Sequence, residues 1–309
     1  MITSVFKKST PINYSLLLLL IVVGFLTVQF QDTSWLNSIQ EIGKKVILFG
    51  LILGSFFLVN FIAKKNGLTK DSGYTMLFFF LFLLISPTIW NNFSILAAHF
   101  FVLLAMRRLV SLQTLKAPKE KIFDASLWIF VASLFQFWCI LFIIVVYASI
   151  IFHVSRDYRN WLIPFVALFT TAVIFIFYGL LVDKSSILIY LKSSTTNFQL
   201  DYFTNTYQNL ALSLFAIFAV FFVIPMLFSL TNRPLNLQAS YKKMFFSFLI
   251  GLVIFFISSN KSNDLLLFTF FPMAVFATNT IEFSQNKLQQ EIILSIAILL
   301  GFLSLFLQL

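Results

Sequence analysis

Asp32 is the acidic residue whose position best suits chemistry at a membrane surface. It follows the first long apolar segment and precedes the polar stretch "TSWLNSIQEIGKK". A carboxylate at this place can act as a general base on a membrane-bound substrate, or it can orient a divalent ion. The alternative is that Asp32 is a solvated loop residue or caps a following helix. The sequence therefore predicts Asp32 as a catalytic candidate.

Two adjacent arginines, Arg107 and Arg108, stand where another apolar segment meets a basic loop. Close to an anionic membrane leaflet, each such residue contributes about 1 kcal/mol of attraction. The pair is therefore a candidate for binding the phosphate of a lipid. The alternative is that these arginines only orient the chain in the membrane.

Four further residues are candidates for lining a substrate site: His99, Gln136, Asp201 and Tyr202. His99 lies near the middle of an apolar segment, where a neutral imidazole can hydrogen-bond a neighbouring helix or contact a ligand. We expect the hydrogen bond to a helix. Asp201 and Tyr202 belong to the loop 183–208, whose aromatic and hydroxyl side chains suit sugars or lipid head groups and also suit a plain membrane interface.

Several classes of function lack their characteristic residues. The chain contains neither a G-x-x-x-x-G-K-[ST] loop nor an H-E-x-x-H motif, so it is not predicted to be an ATPase or a zinc protease. No charged residue lies at the centre of an apolar segment, which argues against an ion-coupled pump. His99 and His153 are far apart, so no metal site is predicted, and no cofactor is indicated. The single cysteine, Cys139, is predicted to be buried and cannot form an intrachain disulfide.

The composition places these residues in a membrane protein. Hydrophobic residues make up 60% of the 309 positions and charged residues only 10%, whereas a soluble domain has roughly a quarter charged. The formal charge of +10 fits the excess of Lys and Arg on cytoplasmic loops and does not require a nucleic-acid partner. The sequence predicts an all-α, polytopic transmembrane helix bundle that forms a single integral membrane domain over residues 1–309.

The predicted spans follow from apolar stretches that do not alternate with polar residues, as the strands of a β-barrel would. Gly50 and Gly54 form a G-x-x-x-G pair that predicts close packing against another helix. Pro87 and Asn91–Asn92 predict a tight turn. The apolar segments occupy about 13–30, 46–63, 74–89, 93–110, 125–152, 161–182, 209–230, 244–259, 265–277 and 291–309.

The segment 125–152 is too long for one span and too short for two full ones. As one helix it would measure roughly 42 Å, against a hydrocarbon core of about 30 Å. If it returns to its starting side, sixteen of the 21 Lys and Arg residues lie on the side of the amino terminus. If it crosses once, only thirteen of them lie on that side. The positive-inside rule favours the larger asymmetry. We therefore predict a short helical hairpin that turns near Gln136, about 10–11 membrane segments, and a cytoplasmic amino terminus, with one long tilted helix as the alternative.

Two stretches carry a resemblance to a known family. The start "MITSVFKKSTPIN" and the stretch "LLAMRRLVSLQTLKAPKEKIFDASLWIFVASLFQFWCILF" resemble uncharacterised multi-pass membrane proteins of flavobacteria-like bacteria. That resemblance implies the inner (cytoplasmic) membrane of a Gram-negative cell envelope. Because the family has no assigned reaction, it transfers no catalytic residue to this chain.

A looser similarity of layout is to polyprenyl-phosphate-dependent glycosyltransferases of the GT-C type and to polysaccharide polymerases. Asp32, an interfacial helix over Trp35–Ile42 and the hairpin 125–152 occupy similar places, although only Glu41 is present as a second acid. The similarity implies a lipid-linked saccharide or isoprenoid-phosphate substrate at the outer leaflet, in addition to contacts with membrane lipids. One alternative is a non-catalytic subunit of an envelope complex, which binds other membrane proteins. Another is a small-molecule permease with a path lined by His99, Gln136 and Tyr178.

Overall fold

The computed structural model describes residues 2–182, 185–198 and 206–308, and within these ranges the chain is helical and contains no strand. This confirms the predicted all-α class. The helices are α1 (Ile2–Phe6), α2 (Pro11–Gln29), α3 (Ile39–Lys65), α4 (Tyr74–Ile85), α5 (Phe93–Val110), α6 (Pro118–Phe135), α7 (Ile143–His153), α8 (Arg159–Leu181), α9 (Ser185–Lys192), α10 (Thr206–Ser229), α11 (Leu235–Ile257), α12 (Leu267–Phe283) and α13 (Lys287–Gln308).

The length and composition of these helices are those of membrane spans. Eight of the described helical segments are long and apolar enough to cross a membrane, and α4 and the segment 137–153 are shorter apolar helices. Large apolar side chains on α8 point away from the protein, and Phe169, for example, is 68% exposed. In water such a surface would be strongly unfavourable, whereas in a bilayer it faces lipid. The protein is a multi-pass membrane protein.

Contacts between the helix ends define two ends of the bundle. At one end, Gln29 Nε2 and Lys45 Nζ both donate hydrogen bonds to Asn91 Oδ1, at 2.9 and 2.8 Å. At the other end, Lys64 Nζ pairs with Asp71 Oδ1 at 2.9 Å. We call the first the far end and the second the basic end. Helices α2 and α3 therefore run in opposite directions between the same two ends.

The basic end is named for its composition. It carries the sixteen Lys and Arg residues that the sequence-based prediction grouped on one side of the membrane. They are Lys7, Lys8, Lys64, Lys65, Lys70, Arg107, Arg108, Lys116, Lys119, Lys121, Arg156, Arg159, Arg233, Lys242, Lys243 and Lys287.

The segment 125–152 forms the predicted hairpin. Helix α6 ends before Gln136, whose extended backbone (φ −136°, ψ 105°) starts a reversal through the 3-10 turn Phe137–Phe142 into α7. Lys119 Nζ, near the start of α6, lies 3.2 Å from Asp157 Oδ2, just after α7. Because both ends of the segment meet at the basic end, a single crossing is excluded. Gln136 Nε2 donates a hydrogen bond to Ser258 Oγ at 3.3 Å, which places a polar group at the turn as predicted.

The ion pair that closes the hairpin is held in its charged form. The backbone N–H of Arg159 donates to Asp157 Oδ1 at 3.0 Å, and this bond, together with Lys119, lowers the pKa of Asp157 below its usual range. Cys139 in the hairpin is fully buried, as predicted.

The predicted interfacial helix over Trp35–Ile42 is wrong. A 3-10 turn covers only Ser34–Asn37, and Ser38 is extended (φ −135°), which separates that turn from α3. Ile39 and Ile42 belong to the first turns of α3, where Glu41 is favourably placed beside the positive end of the helix dipole. Helix formation is cooperative, so the long apolar run that follows extends α3 backwards into the polar stretch. The local spacing of residues 35–42 does not reveal this extension.

Pro87 and the two following asparagines form the predicted turn. The 3-10 turn Pro87–Asn91 joins α4 to α5, and Asn92 caps α5 by accepting a hydrogen bond from the backbone N–H of Ile95 at 3.3 Å. This cap places the Asn92 amide beside the loop that precedes α12, and that position matters for the site described below.

Close helix packing occurs at one glycine of the predicted pair, Gly54, and at a further glycine, Gly251. A Cβ added to Gly50 would meet nothing within 4 Å among the described residues, so the expectation of close packing is wrong there. A Cβ on Gly54 would lie 2.8 Å from Cε2 of Phe100. At Gly251 of α11, a Cβ would lie 2.6 Å from Cγ2 of Thr269 and 3.1 Å from the backbone carbon of Phe268. Helices α11 and α12 therefore cross in direct contact at Gly251.

Candidate functional site

A cavity of about 700 Å³ opens at the far end of the bundle. It lies between the start of α5, the tip of the hairpin and the loop that joins α11 to α12. We call it the far-end cavity. Its walls carry hydroxyl, amide and charged groups, and its lining residues are Asn92, Ser94, Ile95, Phe135, Gln136, Asn197, Ser259, Asn260, Lys261, Ser262, Asp264 and Leu265.

Asp264 is the acidic group of this cavity. It is only 5% exposed and lies in a 3-10 turn directly before α12. Its Oδ1 accepts a hydrogen bond from the hydroxyl of Thr88, and its Oδ2 accepts one from Nδ2 of Asn92 at 2.9 Å. These two donors stabilise a carboxylate that burial alone would disfavour. Among the described residues no cation pairs with it, so its remaining lone pairs are available to a ligand that donates hydrogen bonds.

Lys261 places a positive charge in the same cavity. Its Nζ donates a hydrogen bond to the backbone oxygen of Asn197, and the backbone N–H of Asn197 donates to Ile257 O at 3.2 Å. These bonds attach the loop after α11 to the segment after α9. The far-end cavity therefore combines one ammonium group and one carboxylate with neutral hydroxyl and amide groups.

An apolar groove of about 270 Å³ lies next to the far-end cavity, between α6, α8 and α9. Leu134 lines the groove and the next residue, Phe135, lines the cavity, so both spaces border the end of α6. The Tyr190 ring closes one side of the groove, with its centroid 5.3 Å from that of Phe137 and its hydroxyl 3.5 Å from Ser133 Oγ. A polar cavity and an apolar groove that border the same helix end offer separate places for the polar and apolar parts of an amphiphile.

Asp32 lies apart from this site. It is exposed, and its Oδ1 accepts a hydrogen bond from the backbone N–H of Ser34 at 2.9 Å, which lowers the pKa of Asp32. Together with Glu41 and Lys45 it lines a different, smaller cavity of about 340 Å³ at the same end of the bundle. The structure thus brings the two first-loop acids together, but not with Gln136, which lines the far-end cavity.

His99 is buried within the bundle, with 1% exposed. Neither of its ring nitrogens makes a hydrogen bond in the described part of the chain, so the expected bond to a neighbouring helix is wrong. The reason is its surroundings: Phe79 stacks on the imidazole with 5.8 Å between centroids, and Phe268 lies 6.3 Å away. Aromatic faces pack against the ring but offer no strong acceptor.

The two arginines lie at the basic end, in the last turn of α5, and the helix rises about 23 Å from Asn92 of the far-end cavity to Arg107, at 1.5 Å per residue. The guanidinium of Arg107 lies 5.1 Å from the centroid of Phe61, and Arg108 pairs with Asp124 at 2.8 Å. The structure therefore does not bring them together with Asp32 or with the far-end cavity. Asp201 and Tyr202 lie outside the described residues, and Tyr178 of the permease hypothesis is exposed on α8, away from the buried His99.

Sequence reasoning missed Asp264 and Lys243. Both stand at the edges of apolar segments and were counted as loop residues, whereas Lys243 lies within α11 and is 0% exposed. Its Nζ donates a hydrogen bond to Leu109 O at 2.7 Å and lies 3.1 Å from Nε2 of His153. The spacing of residues could have indicated the burial of Lys243, because this lysine shares one helix face, at intervals of four, with the small residues Ser247 and Gly251.

The fold defines a polytopic helical membrane protein, and a polar cavity opens at one end of its bundle. The chain belongs to a family of unknown function, DUF6427, whose model matches residues 4–308. This agrees with the predicted resemblance to an uncharacterised multi-pass family, and the comparisons give no support to a flavobacterial source or to a relationship with glycosyltransferases. No curated protein and no solved structure matches the chain.

Proposed function

We propose that the protein binds a lipid-linked saccharide, or another isoprenoid-phosphate substrate, in the far-end cavity. The observation that carries this proposal is that consecutive residues, Leu134 and Phe135, line an apolar groove and the polar cavity that contains the buried Asp264. The hydrocarbon chain lies in the groove, and the polar head group enters the cavity.

The two charged residues of the cavity bind different parts of the head group. Lys261 attracts the phosphate, since an ammonium group binds phosphate as a point charge. Asp264 accepts hydrogen bonds from saccharide hydroxyls, and in a transfer reaction it would act as general base on the attacking hydroxyl. Ser94, Ser259 and Asn260 offer further hydroxyl and amide groups. Asp264 thus takes the role that the sequence assigned to Asp32.

Sidedness is part of the proposal: the basic end faces the cytoplasm of a bacterial inner membrane, and the far-end cavity opens outside. Cys139, the sole cysteine, is buried, so an introduced cysteine gives a specific signal with an impermeant maleimide. We expect Asn260→Cys to react in intact spheroplasts and Ser155→Cys to react only after permeabilisation. The reverse pattern would place the far-end cavity in the cytoplasm and contradict the proposal.

The substrate assignment is tested by purification in mild detergent and mass spectrometry of the co-purifying lipids. We expect an isoprenoid-phosphate lipid with the unchanged protein. Lys261→Ala and Asp264→Asn should each lower its amount about tenfold, which corresponds to about 1.4 kcal/mol of binding free energy. Asp32→Asn, a change of the same chemistry at an exposed site, should leave the amount unchanged.

Cell-surface glycans give the matching test in the cell. A deletion strain complemented with Asp264→Asn should show the altered glycan profile of the deletion, and complementation with Asp32→Asn should restore the normal one. If deletion leaves the glycans unchanged and the purified protein retains only other membrane proteins, the role is that of a non-catalytic subunit and the proposal is wrong.

A further inference from the structure

A second polar cavity, of about 350 Å³, lies at the basic end of the bundle. Three lysines line it, and they come from separate parts of the chain: Lys7 follows α1, Lys70 precedes α4 and Lys287 begins α13. We call it the lysine cavity. Its other lining residues are Ser72, Tyr74, Ile281, Glu282, Ser284, Gln285 and Gln290.

The lysine cavity carries a net positive charge. Its one acidic group, Glu282, accepts hydrogen bonds from Ser72 Oγ at 2.6 Å and from the backbone N–H of Lys70 at 2.9 Å. The ion pairs of the described residues do not include Lys7, Lys70 or Lys287. Three lysines therefore line one cavity, in which Lys70 Nζ donates to the backbone oxygen of Glu282 at 3.2 Å and the Glu282 carboxylate is engaged by hydrogen bonds from the loop before α4.

A more apolar groove of about 400 Å³ adjoins the lysine cavity, and Ser284 lines both. The groove lies between α10, which contributes Met226, and α12, which contributes Phe283. The Phe283 ring lies between the two spaces and makes a cation–π contact with a side chain from each. Lys70 Nζ lies 4.9 Å from its centroid and the guanidinium of Arg233 lies 3.8 Å from it, so the ring holds one cation from each cavity.

We infer that the lysine cavity and its groove form a binding site for an anionic phospholipid at the basic end. The phosphate of the head group lies among the three lysines, and an acyl chain lies in the groove between α10 and α12. Basic cavities between membrane helices recognise such head groups through charge, while the adjoining groove recognises the chain. Because this site uses other residues at the opposite end of the bundle, it does not depend on the proposed substrate of the far-end cavity.

The test is lipid retention by the detergent-solubilised full chain, measured by native mass spectrometry with phosphatidylglycerol and, separately, phosphatidylcholine. We expect the protein to retain phosphatidylglycerol in preference to phosphatidylcholine. The triple change Lys7→Gln, Lys70→Gln and Lys287→Gln should weaken retention about 100-fold, as expected for three lost cationic contacts. Arginine at the same three positions should preserve it.

The matched control removes the same charge from the same end but outside the cavity, with Lys8→Gln, Lys65→Gln and Lys242→Gln, all at exposed positions. Equal losses in the two triple variants would show that only surface charge matters and would overturn the inference, as would equal retention of phosphatidylcholine.

Two further measurements distinguish binding of a lipid from binding of free phosphate. Ser229→Trp, which fills the groove, should lower phosphatidylglycerol retention, and excess inorganic phosphate should fail to displace the lipid. Displacement by phosphate with no effect of Ser229→Trp would identify a free-anion site instead.

Discussion

Replacing Gly251 by leucine is expected to cause a large loss of stability in the helix bundle. The first added carbon alone would lie 2.6 Å from Thr269 Cγ2, and 3.1 and 3.2 Å from the backbone carbon and oxygen of Phe268. A side chain can rotate away, but the Phe268 backbone moves only if α11 and α12 separate. Overpacking at such a contact costs about 3 kcal/mol, at the upper end of the usual range.

The expected result is a lower thermal midpoint in detergent, together with weaker ligand retention, because α11 and α12 flank the loop that carries Asp264. Gly50→Leu is the control, since a side chain there would meet nothing within 4 Å. That change should leave the midpoint unchanged or raise it slightly, since leucine favours a helix over glycine by up to about 1 kcal/mol. Equal midpoints for the two leucine variants would contradict the contact.

Replacing Lys243 by glutamate is expected to be still more disruptive. The ammonium group of Lys243 donates to Leu109 O at 2.7 Å and lies 3.1 Å from His153 Nε2. A carboxylate in its place would face the carbonyl oxygen of Leu109 in a fully buried position, where no lysine or arginine among the described residues forms a hydrogen bond with this side chain. An uncompensated buried charge costs about 3–5 kcal/mol. We expect little folded protein in detergent extracts, measured by fluorescence-detected gel filtration.

Two comparisons make the Lys243 prediction specific. Lys242→Glu makes the same charge change at the adjacent, exposed position and should leave the yield of folded protein close to normal. Lys243→Met keeps the length of the side chain but removes the donor, so its cost should be about 1–3 kcal/mol, that of a buried acceptor left unpaired. A normal yield for Lys243→Glu would show that this side chain is not buried between α5 and α7.

Features that depend on composition and local pattern could be predicted from the sequence. The membrane spans follow from uninterrupted apolar runs, and the hairpin follows from its length and from the distribution of Lys and Arg. The ion pair between Lys119 and Asp157 is the structural counterpart of that charge argument. Gln136 was likewise recognisable, because a turn within an apolar segment requires a polar group.

The candidate site could not be predicted in the same way, because burial of a charge depends on what packs against it. Asp264 appeared to be a loop residue, and only the placement of Thr88 and Asn92, more than 150 positions earlier in the sequence, makes it a buried carboxylate. His99 shows the reverse. Its position in an apolar run indicated a hydrogen bond, but its neighbours are the rings of Phe79 and Phe268.

The double role of Asn92 fixes the orientation of its own side-chain amide in the wall of the far-end cavity. Its Oδ1 is occupied by the N–H of Ile95 and its Nδ2 by Asp264, so the amide cannot rotate to present the opposite group. Nδ2 of Asn92 is therefore held toward the Asp264 carboxylate, which keeps a fixed donor on this wall of the cavity. A ligand that reaches this wall therefore meets an amide that is already oriented and does not have to be ordered on binding.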